Sequence, residues 1–371
     1  DEFVVAFEHD AGDIPTVAIE RLRSALTHVT TYGTHEFALS ASLGVARFPV
    51  DANNAETLIQ LADVAMYRAK RGEGHGISYF AEDLHRDLIA RSDLTSELRR
   101  AIRQRQLTVF WQPRIEAATG ALTGAEALVR WQHPERGLLP PATFIPIAEE
   151  TGLIHELGQY VIREALAQLR RWHDTGLWLN ASINLCPVQF LQPEMLADVK
   201  HMLEEAGVDG RWVEFEVTES TIMRDDGRVA EQMKALKALG IRFSLDDFGT
   251  GYSSLLWLRR FPIDTLKIDR SFVSDLPDSV ESLAITRAVI ALAHTLGRKV
   301  VAEGAETPEQ VALLAELGCD EIQGFAVLPP VAVADFNPFA AGKTLESSFR
   351  AFRCAARASS DTRSAQTSAQ R

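Results

Sequence analysis

The chain is predicted to be an α/β protein, a (β/α)₈ TIM-like barrel with one antiparallel strand, preceded by a truncated α+β fragment. Three observations carry this reading. From residue 107 to about 338, short β-rich runs alternate with amphipathic helical runs, the pattern of a largely parallel sheet covered by helices. The strand runs carry polar residues at or near their carboxyl ends (Asn184, Glu216, Asp246, Lys267, Glu303, Gln323), whereas Ile183, Phe215, Leu245, Leu266, Ile268 and Val300, of opposite parity, are apolar. At 371 residues, 46% hydrophobic and 24% charged, the chain is long enough for one large domain plus a smaller one.

The elements before residue 107 make the smaller domain, expected over 1–80. Residues 3–7 and 37–45 read as strands and 16–26 as a helix. The stretch 58–70 reads as a second helix, with Leu58, Leu61, Ala62, Ala65 and Ala69 on its buried stripe. Residues 81–105 are charged and carry Leu84, Leu88, Leu94 and Leu98 at helical spacing, as in a solvated connecting helix. The large domain is expected over 92–338. From residue 341 to 371 the Ser-, Arg-, Thr- and Ala-rich sequence has no periodicity and reads as a disordered tail.

Eight strands are expected: 107–112, 124–131, 181–184, 213–217, 241–246, 265–268, 300–303 and 321–323. Helices are expected over 141–172, 187–206, 228–239, 253–260, 280–296 and 307–317. The first two strands are joined by too few residues for a crossover helix, so they form a hairpin and the first is reversed. With Ala118-Thr119-Gly120 as its loop and Gly120 left-handed, Gln112 falls opposite Glu126. Glu126 and Arg130 share a face of the second strand. The stretch Asp246-Asp247-Phe248-Gly249-Thr250-Gly251 leaves its strand through a tight glycine turn, and Ser253 is placed to cap the next helix.

The net charge of −13 argues against a nucleic-acid polymer as partner. Cys186, Cys319 and Cys354 are too scattered for a disulfide framework or a zinc site, which suggests a reducing cytoplasm. No run reaches membrane-spanning length, and an opening on Asp1-Glu2-Phe3 without Met reads as a cut through a longer protein, whose upstream part would supply any anchor.

Barrel active sites lie at the carboxyl ends of the strands. There Glu126, Glu216, Asp246, Asp247 and Glu303 would converge, and like charges that close are tolerated when cations lie between them. Oxygen donors, including the Asn184 amide, select Mg²⁺ or Mn²⁺, and the tandem Asp246-Asp247 suits two bridged ions as in two-metal phosphoryl chemistry. Lys267 can orient a water or stabilise developing charge, and the planar fork of Arg130 suits a phosphate oxygen. Metal-assisted phosphodiester hydrolysis follows. Asp269 reads as a local cap, His133, His155, His173 and His294 as surface or core residues, and Trp131 and Trp257 as packing.

Two resemblances sharpen this. Asp1-Glu2-Phe3, Ala41-Ser42-Leu43-Gly44-Val45-Ala46 and Ala62-Asp63-Val64-Ala65-Met66-Tyr67-Arg68-Ala69-Lys70 resemble the C-terminal half of a GGDEF (diguanylate cyclase) domain. The two signature glycines are absent, so no synthesis of cyclic dinucleotide is expected. Glu126-Ala127-Leu128, Val129-Arg130-Trp131, Phe144-Ile145-Pro146, Asn184-Leu185, Glu214 to Glu219, Asp246 to Gly251, Lys267-Ile268-Asp269, Ala302-Glu303-Gly304 and Gln323-Gly324-Phe325 resemble the EAL family of cyclic-di-GMP phosphodiesterases. That resemblance implies cleavage of cyclic-di-GMP to linear pGpG and pairing as a homodimer through this domain. It implies one metal on Glu126, Asn184, Glu216 and Asp246, and a second on Asp246 and Asp247. Lys267 and Glu303 would position or deprotonate the water, and Gln112, Arg130 and Gln323 would contact substrate or order the site. Glu219 would tether the loop 246–254, and Glu306 lies in the loop that follows Glu303. Arg114 stands where the family usually has an aliphatic residue, and Cys186, Ala305 and Leu328-Pro329-Pro330 also depart from its pattern. A non-hydrolysing cyclic-di-GMP receptor and an unrelated metal-dependent barrel hydrolase are the alternatives.

Overall fold

The computed structural model describes residues 3–7, 16–27, 29–32, 35–38, 41–70, 76–80, 82–223, 227–249, 258 and 260–340. The tail 341–371, Thr250 to Ser254 and nearly all of the expected helix 253–260 lie outside the described residues. The chain divides into two compact units, Asp1–Glu97 and Leu98–Arg371.

In the first unit α1 (Thr16–Leu26) precedes an antiparallel hairpin of β1 (Val29–Tyr32) and β2 (His35–Ala38). β3 (Leu43–Val45) then pairs in parallel with β4 (Ile77–Tyr79) across α2 (Ala55–Lys70). The Asn54 side chain accepts from the Thr57 amide at 2.8 Å and so caps α2. Leu61, Ala65 and Ala69 are its buried stripe. A Cβ at Gly44 would lie 1.9 Å from the Ala62 carbonyl oxygen, so the bare glycine is what lets the helix backbone rest on β3. Two expectations are corrected here. Residues 3–7 form no strand: they pair with nothing among the described residues, and Phe3, Val4, Val5 and Phe7 are exposed. The expected strand 37–45 is two, β2 and β3, in different sheets.

The second unit is an eight-stranded closed barrel. After α3 (Glu82–Arg103) come β5 (Leu107–Glu116), β6 (Leu122–His133), the short β7 (Gly137–Leu139), α4 (Pro141–Thr151) and α5 (Ile154–Asp174). Next are β8 (Asn180–Asn184), α6 (Pro187–Phe190), α7 (Met195–Ala206), β9 (Val213–Thr218), α8 (Glu219–Met223), α9 (Arg228–Lys237) and β10 (Arg242–Phe248). β11 (Thr265–Ile268), α10 (Arg270–Ser274), α11 (Val280–Thr295), β12 (Lys299–Ala302), α12 (Pro308–Glu316), β13 (Glu321–Ile322), β14 (Val331–Ala332) and α13 (Val333–Ala340) complete it. The strand order β5-β13-β12-β11-β10-β9-β8-β6 closes through the β5–β6 pairing. β5 is antiparallel to both its neighbours, and the others run parallel. Gly120 turns the β5–β6 hairpin at φ 77°, and Gln112 pairs opposite Glu126.

Two expected helices are each split. Gly152, left-handed at φ 74°, ends α4 before α5 begins, and Gln192-Pro193 separates α6 from α7 because proline disfavours helix in the residue before it. Elsewhere the ends follow their caps: Thr307 and Gln310 form a capping box on α12, and Ser279 caps α11. The outward-facing residues Ile183, Phe215, Phe243, Leu245, Leu266, Ile268 and Val300 are buried beneath the helices. At one side Trp172 packs between Trp111 and Phe336, with ring centroids 4.7 and 5.0 Å away. No helix of the described residues is long and apolar enough to cross a membrane.

Candidate metal and active site

The parity that buries those apolar residues outward turns their neighbours into the barrel. Successive inward-facing residues on the strands then form layers, and the layer nearest the carboxyl ends brings together Gln112, Glu126, Glu216, Lys267 and Gln323. Glu126 on β6 receives a 2.6 Å hydrogen bond from Asn184 Nδ2 at the end of β8 and a 2.5 Å bond from Gln323 Nε2 just beyond β13. Gln323 Nε2 also donates to Gln112 Oε1 at 3.0 Å, and Gln112 Nε2 donates to the Leu328 carbonyl at 3.4 Å. Three strands and the return loop are thus knitted into one wall.

The opposite wall centres on Lys267, which is buried on β11. Its Nζ contacts Glu216 Oε2, Glu303 Oε1 at 2.5 Å and Asp246 Oδ1 at 3.3 Å. Carboxylate oxygens of Glu126, Glu216 and Glu303 lie within 4.8 Å of one another. Burial alone would lower the Lys267 pKa, but Glu216, Glu303, Glu126 and Asp246 outweigh it and hold the ammonium well above its ordinary value. Burial lifts Glu216 well above the usual carboxylate range, with Lys267 opposing and Glu126, Asp246 and Glu303 adding to it. Glu303 is raised to about 7 by burial first, against Lys267 and with Asp246 and Glu126 reinforcing.

Adjacent residues of a regular strand face opposite ways, so Asp246 and Asp247 need a local device to share one rim. The device is a bulge. Leu245 pairs with Leu266 and Phe248 with Ile268, so two residues of β10 face the single Lys267 of β11. Asp247 adopts φ 56°, a left-handed conformation that Asp tolerates better than most residues. Asp246 Oδ1 accepts from the Asp247 amide at 3.0 Å while also facing Lys267. Asp247 itself opens to solvent beside Asp269; partial burial, then Asp246 and Asp269, raise its pKa. Asp269 caps α10 through the Ser271 amide, as its sequence position suggests. The five carboxylates therefore do not form one cluster: three converge, Asp246 joins them through Lys267, and Asp247 stands at the rim.

Arg130 lies four residues further along β6 than Glu126. It is half-buried, donates to the Val129 carbonyl at 2.9 Å and has its guanidinium carbon 5.6 Å from the centre of the Phe110 ring. Burial lowers its pKa and Glu126 partly restores it. Glu219 opens α8 directly after β9, but the loop it was expected to tether falls outside the described residues beyond Gly249. Glu306 accepts from Arg270 Nη2 at 2.6 Å, linking the first residue of α10 to the loop after β12. Sequence reasoning did not single out Arg270 or Glu321, and it marked Arg114 only as a departure from the family pattern and Glu214 only as part of a matching stretch. Arg114, Glu214 and Glu321 form a buried set one layer below the site. The signal was present: Glu214 shares parity with Glu216, and Arg114 with Gln112.

The donor set fits a divalent cation. Glu216 Oε1 is buried with no hydrogen-bond partner, and oxygen donors of this kind suit hard ions. The family description "EAL domain" matches residues 95–330, and "Diguanylate cyclase, GGDEF domain" matches residues 1–75. The chain belongs to the EAL domain family. EAL enzymes are metal-dependent phosphodiesterases, and the acidic cluster is where an ion would be expected. This EAL chain is 40% identical over 334 residues to the "Bifunctional diguanylate cyclase/cyclic di-GMP phosphodiesterase MucR" of Pseudomonas aeruginosa, covering 89% of this chain and 48% of that protein. It is 35% identical over 337 residues to "Cyclic di-GMP phosphodiesterase PdeR" of Escherichia coli, covering 91% and 51%. It therefore spans about half the length of these curated relatives. Among solved structures it is similar to "PaMucR Phosphodiesterase, c-di-GMP complex", with 42% identity, TM-score 0.64, and coverage of 66% of this chain and 99% of that one. The EAL enzyme Bd1971 in its cAMP- and cyclic-di-GMP-bound form gives 28% identity and TM-score 0.67, covering 78% and 77%.

Proposed function

We propose that this EAL chain hydrolyses cyclic-di-GMP to linear pGpG with Mg²⁺ or Mn²⁺, as a phosphodiesterase that lowers a bacterial second messenger. The observation that carries the reading is the convergence of Glu126, Glu216 and Glu303 within 4.8 Å around a buried lysine, at the carboxyl end of a barrel. Such a set has a clear use when cations and an anionic diester share the space. Glu126, Asn184, Glu216 and Asp246 would hold one ion, and Asp246 and Asp247 a second. Rotation of the Asn184 side chain would turn Oδ1 in place of Nδ2 toward the ion. The ions would supply charge neutralisation of the phosphate and a lowered pKa for the attacking water.

The chain's own groups account for the proton. Glu303, with a pKa near 7, can accept it from water at neutral pH, where a general base is most effective. The water oxygen bonds to phosphorus, the bond to one ribose 3′-oxygen breaks, and that oxygen takes up a proton. Lys267 holds Glu303 and Glu216 in place and stabilises negative charge on the phosphorane oxygens. Gln112 and Gln323 order Glu126, and Arg130 is placed to meet a phosphate oxygen. Glu219 would order the loop after Asp247.

The reading also takes the barrel to pair as a homodimer and to work in the cytoplasm. Sedimentation of the pure chain and fractionation of cells test those two points. Turnover of pure protein with Mn²⁺ and cyclic-di-GMP tests the activity. Release of pGpG supports hydrolysis, binding without release would turn the reading toward a receptor, and cleavage only of other diesters would point to a different hydrolase.

A further inference from the structure

Directly beneath the site layer, two residues further into the barrel on each strand, lies a second charged layer. Arg114 is two residues from Gln112 on β5, Glu214 two from Glu216 on β9, and Glu321 two from Gln323 on β13. All three are buried. Arg114 Nη1 lies 2.6 Å from Glu214 Oε1, and its Nε 3.5 Å from Glu321 Oε2. β5 and β13 are neighbours, but β9 stands across the barrel from both, so the guanidinium spans the interior. Glu214 is fixed from two more strands: Ser182 Oγ on β8 donates to it at 3.2 Å, and Thr265 Oγ1 on β11 at 3.0 Å. Gly124 pairs opposite Arg114 and, having no side chain, leaves room beside the guanidinium.

We infer that Arg114, with Glu214, is a positioning pair for the metal site: a cross-barrel strut that sets the distance between Glu216 on one side and Gln112 and Gln323 on the other. The inference rests on the metal-dependent reading above and goes beyond it by assigning a role to residues that touch neither ion nor substrate. Each end of the strut is two residues from a group of the site, and strand backbones transmit such displacements with little loss because the barrel is closed and close-packed. Gln112 and Gln323 in turn hold Glu126, so the strut acts on both walls. Groups that orient metal ligands without touching the metal commonly change affinity by about 10- to 100-fold when removed.

The test removes both charges together, because removing one strands the other in the barrel. Arg114→Met/Glu214→Gln nearly keeps the volume; the glutamine oxygen accepts from one of the Ser182 and Thr265 hydroxyls while its amide nitrogen donates to the other, and Glu321 keeps Lys299 at 3.5 Å. Mn²⁺ binding to the full chain, without substrate, is measured by calorimetry beside a circular-dichroism melt of the metal-free protein. The expected result is a folded variant whose Mn²⁺ affinity falls at least about tenfold. A folded variant binding Mn²⁺ as tightly as the parent would overturn the inference. So would a variant that fails to fold, since the pair would then hold the barrel and not the site. Failure of the parent chain to bind Mn²⁺ would instead sink the metal-dependent reading itself.

Discussion

Replacing Lys267 with Met should make the barrel depend on divalent cations for its stability. Lys267 is buried and its ammonium touches Glu216, Asp246 and Glu303. Met fills nearly the same volume, so the change removes charge and leaves packing almost intact. Stranding buried carboxylates in this way costs about 3–5 kcal/mol, which for a unit of this size lowers the melting temperature by roughly 10 °C. The pH dependence has a definite sign. Without the ammonium, Glu216 and Glu303 are raised even further above the ordinary 4.5 of a glutamate. A carboxyl raised in the folded state stabilises fully below its unfolded pKa, and that contribution is lost as pH rises through the folded value. The deficit should therefore be small near pH 4.5 and grow through neutrality. Mn²⁺ at about 100 times its dissociation constant should return about 2.7 kcal/mol. Urea unfolding followed by tryptophan fluorescence, with EDTA or with Mn²⁺, reads all of this. A loss below about 1 kcal/mol, or one that Mn²⁺ leaves unchanged, would refute the view that buried positive charge holds these carboxylates together.

Other consequences are open to direct measurement. Glu126→Ala should cut turnover of cyclic-di-GMP by more than about 100-fold while leaving the circular-dichroism spectrum unchanged, and undiminished turnover would refute its assignment to the metal. Mn²⁺ affinity should fall by up to about tenfold per pH unit below the Glu303 value of about 7 and level off above it, because a proton on Glu303 and an ion on the neighbouring Glu126 and Glu216 neutralise the same charge; calorimetry in buffers of different ionisation heat would register the released proton. Gly324→Ala places a Cβ 2.1 Å from the Ala305 carbonyl oxygen, at the contact between the strand exits that carry Gln323 and Glu303. It should destabilise by about 1–3 kcal/mol and lower kcat more than it raises KM, and a variant with normal kcat would show that this contact does not set the site.

The sequence by itself determined the closed barrel, its reversed first strand and the inward side of almost every strand. Period-2 alternation fixes which residues face in, and a connection too short for a helix forces an antiparallel pair; neither depends on distant packing. Those two rules placed Gln112 opposite Glu126 and put Glu216, Lys267, Glu303 and Gln323 at the mouth. Short-range turn chemistry set the finer boundaries, which is why Gly152 and Pro193 broke two expected helices. Tertiary structure alone decided how the charges share the interior. Parity says that Asp246 and Asp247 cannot face one way, and only the bulge against β11 shows how the chain brings both to the rim. The strands also said nothing of Arg114 meeting Glu214 across the barrel, because two residues a hundred positions apart meet only once the sheet has closed.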